Sequence, residues 1–150
     1  MFGRTPKKQN GNSVQDITRP LIVVIDDEPD ICQLVELALK DRGISVRIAH
    51  DGLAGLELIE ALRPDGIILD IKMPKLNGYQ LLARMQQRPE IAHIPVAVMT
   101  SLSDSDGDVT PEQWAQKLGV VSFFNKPVDP IVMVEAVMRQ LPAGRDSVPG

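Results

Sequence analysis

The stretch Gly66-Ile67-Ile68-Leu69-Asp70-Ile71-Lys72-Met73-Pro74 decides the fold. Strand-forming apolar residues run into a single carboxylate, and a proline stops the strand a few residues later. An apolar run of this length fits a strand buried on both faces, as in a parallel sheet covered by helices. In open sheets of that kind ligands gather where strands end and loops begin. Asp70 is therefore expected at an exposed functional rim rather than within the core.

Upstream, Leu21-Ile22-Val23-Val24-Ile25 is a second apolar strand, and it ends in Asp26-Asp27-Glu28-Pro29. Two parallel strands ending side by side bring Asp26, Asp27 and Asp70 together. Carboxylates about 4 Å apart repel by roughly 4 kcal/mol at an effective dielectric near 20. Such a cluster calls for a hard cation, and all-oxygen ligation with room for water favours Mg²⁺, with Mn²⁺ as a substitute. Downstream, Val96-Ala97-Val98-Met99 ends in Thr100-Ser101, and Val120-Val121-Ser122-Phe123-Phe124 ends in Asn125-Lys126-Pro127. Four strand ends offer an acid pair, an acid, a hydroxyl and an ammonium.

Helical periodicity fills the intervals. Pro29 suits a first helical position, Ile31, Leu34, Val35, Ala38 and Leu39 repeat at helical spacing, and Gly43 is a C-cap. Ser45 to Ala49 is a strand. Asp51 caps a second helix with Leu53, Leu56, Ile59 and Leu62 on one face, ended by Arg63-Pro64. Asn77 and Gln80 form a capping box for a third helix, which carries Leu81, Leu82 and Met85 and ends at Arg88-Pro89. A polar, acidic loop over 103–108 precedes Thr110-Pro111-Glu112-Gln113, which starts a short fourth helix over 111–118. Asp129-Pro130 starts the fifth, with Val134, Val137 and Met138 leading to Leu141. Five βα units with short links predict a doubly wound α/β parallel sheet. The expected organisation is an arm over 1–18, one domain over 19–141 and a tail over 142–150.

Composition narrows the function. A formal net charge of -4 over 150 residues gives no electrostatic basis for nucleic-acid binding. Arg4, Lys7 and Lys8 form only a small basic patch in a polar arm. The single Cys32 has no partner for an internal disulfide and reads as a small core residue. No run approaches a membrane span and the N-terminus has no signal-peptide core, so a cytoplasmic protein is expected. Asp104 to Asp108 resembles a calcium loop only superficially, because the required glutamate position holds Ala115. His50 and His93 lie on links without acids at ligand spacing and receive no role. Trp114 and Leu118 read as packing residues of the fourth helix.

DDEP after the first strand, D-x-K-M-P after the third, T-S after the fourth and K-P after the fifth, in that order, resemble a response-regulator receiver domain over about 19–141. The resemblance implies a flavodoxin-like (βα)5 sheet of order 2-1-3-4-5. It implies that Asp70 is the phosphoacceptor, and that Asp27, Asp70 and the backbone carbonyl of Lys72 hold Mg²⁺, with Asp26 reaching the ion directly or through water. Lys126 then contacts the phosphoryl group before a cis bond to Pro127. Thr100 and Phe123 are the switch pair, Phe124 is an ordinary strand hydrophobe, and Ser101 is small enough to leave Asp70 accessible. Lys72 and Leu102 flank the path of hydrolytic water and favour a slowly decaying phosphoprotein. Implied partners are a histidine kinase or a histidine phosphotransfer protein, and a downstream protein bound through the fourth helix, fifth strand and fifth helix. The chain would be a monomer or a phosphorylation-dependent homodimer, catalysing nothing beyond its own phosphorylation and dephosphorylation.

With no stretch left for a separate output domain, a stand-alone signalling role is expected; the receiver portion of a longer regulator is the alternative. A phosphorylation-independent interaction module on the same fold would not require Asp26, Asp27, Asp70, Thr100 and Lys126 together. An FMN binder of this topology would need a phosphate-cradling loop after the first strand, where this chain has acids.

Overall fold

The computed structural model describes residues 19–73, 75–100 and 120–141, Val121 by its backbone alone. Five strands form one sheet: β1 (Leu21–Ile25), β2 (Ser45–Ala49), β3 (Gly66–Asp70), β4 (Val96–Thr100) and β5 (Val120–Asn125). All neighbours pair in parallel, in the order β2-β1-β3-β4-β5. This is the doubly wound, flavodoxin-like sheet expected from the sequence. The helices are α1 (Pro29–Asp41), α2 (Gly52–Leu62), α3 (Gly78–Gln86), α4 (Pro89–Ala92) and α5 (Pro130–Gln140).

The strand side chains alternate between two apolar layers, as the two-residue period of a strand requires. Val23, Ile25, Ile67, Leu69, Val96 and Val98 pack with Leu56 and Ile59 of α2 and Leu81, Leu82 and Met85 of α3. Ile22, Val24, Ile68, Ala97 and Met99 pack on the other face with Cys32, Val35 and Leu39 of α1 and Met133, Val134 and Val137 of α5. Every residue of β3 is buried, so the central strand that carries Asp70 is anchored from both sides. Each buried Ile or Leu contributes about 1.5–3 kcal/mol.

Local chemistry sets the boundaries. Gly43, at φ +77, follows α1 in a Schellman turn, with Gly43 N–H donating to Lys40 O at 3.0 Å and Ile44 N–H to Leu39 O at 3.1 Å. Asp51 caps α2 through Ala54 N–H. Asn77 and Gln80 exchange hydrogen bonds of 2.9 Å in the expected capping box. Asp129 caps α5.

Several sequence expectations are corrected. Leu34 on α1 and Leu53 on α2 are exposed, and Met138 on α5 is only partly covered. On α1 the buried face is carried by Cys32, Val35 and Leu39, and on α5 by Met133, Val134 and Val137. Gly52 and Gly55 are buried in place of Leu53. Beyond Arg88, Pro89 does not merely end the third helix: it occupies the first turn of the short α4, which buries Ile91. Thr100 and Asn125 extend their strands by one residue. The arm, the tail, Ser101, Leu102, the loop over 103–108 and the helix over 111–118 with Trp114 lie outside the described residues.

Candidate functional site

The C-terminal ends of β1, β3 and β5 gather the chemistry. β1 ends in Asp26, whose N–H donates to Ala49 O at 3.1 Å. Its side chain turns back to accept from Glu28 N–H at 2.9 Å, the self-bonding turn that aspartate favours. The Asp26 carbonyl accepts twice: from the Cys32 thiol at 3.3 Å and from His50 Nδ1 at 3.0 Å. A carbonyl only accepts, so His50 carries its proton on Nδ1. β3 delivers Asp70, and Ile71 N–H then bonds Met99 O on β4. At the start of α3, Gly78 N–H bonds Ile71 O at 2.8 Å. A side chain at Gly78 would meet Asp70 O at 2.9 Å and Ile71 Cα at 2.8 Å, so only glycine lets the helix start press this closely on the strand end. β5 delivers Lys126, whose N–H donates to Thr100 O at 2.8 Å.

Asp26, Asp27 and Asp70 converge, their nearest carboxylate oxygens lying within 4.8 Å of one another. Lys126 Nζ stands 3.2 Å from Asp70 Oδ2 and 3.3 Å from Asp26 Oδ2, and donates to Glu28 Oε1 at 2.7 Å. Asp70 is buried rather than exposed as expected, and so is Asp26; Asp27 and Glu28 are exposed. The chain beyond Asp70 stays close to the core: Ile71, Met73 and Leu76 are themselves buried.

Burial dominates the electrostatics. It pushes the Asp70 carboxyl up to about 7, with the Asp26 charge adding to the rise and the Lys126 ammonium and the Lys72 backbone N–H opposing it. Burial likewise raises Asp26, against its hydrogen bond from Glu28 N–H and the charge of Lys126. Burial alone would lower Lys126, but the hydrogen bond to Glu28 and the charges of Asp26 and Asp70 outweigh it and raise the ammonium. Cys32 is pushed up to about 12 by burial and by Asp26, so its thiol stays protonated as a donor.

The donor set fits a hard divalent cation. Four carboxylates face one ammonium. Asp26 Oδ2 and Asp70 Oδ1 are buried without a hydrogen-bond partner among the described residues. Orphaned buried carboxylate oxygens are costly, and a cation with oxygen preference satisfies both. Asp26, Asp27 and Asp70 are the residues that could hold it.

Of the sequence-predicted site residues, Asp26, Asp27, Asp70 and Lys126 meet in one cluster. Thr100 ends β4 beside it, bound through its carbonyl to Lys126. The Lys126–Pro127 bond is cis. Lys72 is exposed. Phe123 is partly buried on the α2–α3 face, while Phe124 packs toward α1 and α5. Two residues escaped the sequence reading. In the sequence Glu28 is only one member of the acid run, yet it makes the shortest ion-pair contact to Lys126. His50 reaches the Asp26 carbonyl from the end of a different strand, which no spacing within one segment reveals.

Similarity to known proteins follows the same outline. The family model described as "Response regulator receiver domain" matches residues 22–138. The chain is 34% identical over 130 residues to the "DNA-binding dual master transcriptional regulator RpaA" of Synechocystis, covering 87% of this chain and 52% of that protein. It is 28% identical over 116 residues to "Protein PilH" of Pseudomonas aeruginosa, covering 77% of this chain and 93% of that protein. The crystal structure of the chemotaxis protein CheY4 of Vibrio cholerae superposes with a TM-score of 0.71 at 26% identity, covering 82% of this chain and 99% of that one. Among the described residues no helix is long and apolar enough to cross a membrane. The family match spans all five strands and the ends that gather the acids and the lysine: the chain belongs to the response-regulator receiver domains.

Proposed function

We propose that this chain is a phosphoacceptor: Asp70 takes a phosphoryl group from a histidine kinase or a histidine phosphotransfer protein of a two-component or phosphorelay system. The observation that carries the reading is the meeting of Asp26, Asp27 and Asp70 with Lys126 at the ends of three strands. An Asp70 oxygen attacks the phosphorus of a phosphohistidine, a P–O bond forms, the P–N bond breaks, and the imidazole nitrogen keeps the electron pair. Bound Mg²⁺ (or Mn²⁺) supplies charge neutralisation for the transferred group, which is most of what phosphoryl transfer requires. Asp27, Asp70 and the Lys72 carbonyl would hold it, with Asp26 reaching it directly or through water. Lys126, 3.2 Å from the Asp70 carboxylate, would donate to the phosphoryl oxygens.

The receiver unit is taken as 19–141. Thr100 turns toward the phosphoryl group and Phe123 follows it, passing the signal to the face that includes β5 and α5 and the predicted helix over 111–118. Exposed Ile131 and Val132 on α5 suit such a protein-binding face. The unit acts in the cytoplasm, alone or as the receiver part of a longer regulator, as a monomer or a phosphorylation-dependent homodimer, and catalyses only its own phosphorylation and dephosphorylation. Incubation with acetyl phosphate and Mg²⁺ yields acid-labile protein-bound phosphate, and EDTA prevents it. No incorporation under either condition contradicts the proposal.

A further inference from the structure

We infer that Glu28 is a removable tether on Lys126, holding the ammonium in the unphosphorylated site and releasing it when a phosphoryl group reaches Asp70. The inference rests on the phosphoacceptor reading above. An ammonium has three N–H donors and no acceptor. Lys126 has three carboxylate partners within ion-pair range: Glu28 at 2.7 Å, Asp70 at 3.2 Å and Asp26 at 3.3 Å. Three carboxylates thus compete for its charge before any phosphoryl group arrives, and Glu28 takes a hydrogen bond from it at 2.7 Å.

An aspartyl phosphate carries a charge of about -1.5 to -2 where the carboxylate carried -1, and its three strong acceptor oxygens compete for the ammonium's donors. One existing partner has to yield. Asp26 is 0% exposed, so losing the ammonium would leave its charge buried and uncompensated. Glu28 is 56% exposed, and water takes over its lone pairs at little cost. The shortest contact is therefore also the cheapest to break. Glu28 sits two residues from Asp26 and is fixed there by its own N–H bond to the Asp26 carboxylate, so the tether is part of the same turn that presents the acid pair. Its effect is to set the threshold for phosphoryl binding, since each occupancy of Asp70 requires the Glu28–Lys126 bond to open.

The test is calorimetric titration with beryllium fluoride, a non-covalent stand-in for the phosphoryl group, at saturating Mg²⁺. Three variants are compared with wild type: Glu28→Gln, Glu28→Ala and Glu28→Asp. Glu28→Asp keeps the charge but is one methylene shorter and does not reach Lys126. All three bind beryllium fluoride about threefold more tightly than wild type, the scale of a half-exposed ion pair. Unchanged or weaker binding by Glu28→Gln and Glu28→Ala overturns the tether. So does wild-type affinity in Glu28→Asp beside tighter binding in Glu28→Gln, which would mean a general charge effect. Failure of the wild type itself to bind beryllium fluoride overturns the phosphoacceptor reading and the tether together, whereas binding by wild type with no gain in the variants overturns the tether alone.

Discussion

The ammonium of Lys126 lies 3.2 Å from the carboxylate of Asp70 although the two residues end strands that are not neighbours. β4 runs between β3 and β5, and Lys126 reaches across its end. The backbone makes this possible: Lys126 N–H is tied to Thr100 O, and Ile71 N–H to Met99 O, so both strand ends are fastened to β4. The site is a product of sheet order, which sets the ends of β1, β3 and β5 within reach of one another.

The metal-free protein is expected to lose stability as pH rises. Asp70 titrates at about 7 in the folded state, against about 3.9 for a free aspartate. Between these values the folded protein binds more protons than the unfolded chain, so this contribution is complete below about pH 4 and is lost as pH rises through 7. Asp26, also raised, acts in the same direction. Urea denaturation in EDTA is expected to show Asp70→Asn more stable than wild type at pH 8, by on the order of 2 kcal/mol. The difference closes by pH 4. A difference independent of pH contradicts the electrostatic account.

Removing Asp27 is expected to weaken Mg²⁺ binding more than removing Asp26. Asp27 is exposed and is not among the ion-pair partners of Lys126, whereas Asp26 already balances that ammonium at 3.3 Å. Titration of Asp27→Ala and Asp26→Ala with Mg²⁺ should show a loss of tenfold or more for the first, about 1.4 kcal/mol or more, and a smaller loss for the second. Equal losses refute the ranking.

Gly78→Ala is expected to damage stability and metal binding together. Its new methyl meets backbone atoms of Asp70 and Ile71 that cannot move without displacing the carboxylate, at a cost of about 1–3 kcal/mol. Gly43→Ala meets nothing within 4 Å and pays only for its φ of +77, about 1–2 kcal/mol. Thermal melts and Mg²⁺ titrations on both variants separate them: Gly43→Ala keeps wild-type metal affinity and Gly78→Ala does not.

The phosphorylated form is expected to decay slowly. On the proposed reading, Lys72, two residues beyond Asp70, would lay its ammonium against a phosphoryl oxygen and its stem across the path of water, and a leucine at 102 has no group to orient that water. Following phosphate loss in wild type, Lys72→Asn and Leu102→Glu should show faster decay in both variants. Decay no faster than wild type in both removes this explanation of the lifetime.

Much of this was legible in the sequence because each strand carries its own stop signal. Asp26-Asp27, Asp70, Thr100 and Lys126 each follow an apolar run, and proline or glycine follows within a few residues of most of them. The capping box at Asn77 and the turn at Gly43 were readable for the same reason: local hydrogen bonding fixes them. What local pattern does not encode is contact between segments. The burial of Asp70 at 2% exposure is a property of the assembled strand ends and not of its own segment. The Glu28–Lys126 contact spans 98 positions and the His50–Asp26 contact 24. Leu34 and Leu53 carry the correct helical spacing, yet both are exposed in the fold.

Intact-mass measurement on wild type and Asp70→Asn, after acetyl phosphate and Mg²⁺ treatment at neutral pH, tests the central claim most directly. Wild type should gain the mass of one phosphoryl group, lost on brief alkaline treatment as an acyl phosphate is, and Asp70→Asn should gain none. Undiminished labile phosphate on Asp70→Asn would contradict the assignment of Asp70 as the acceptor.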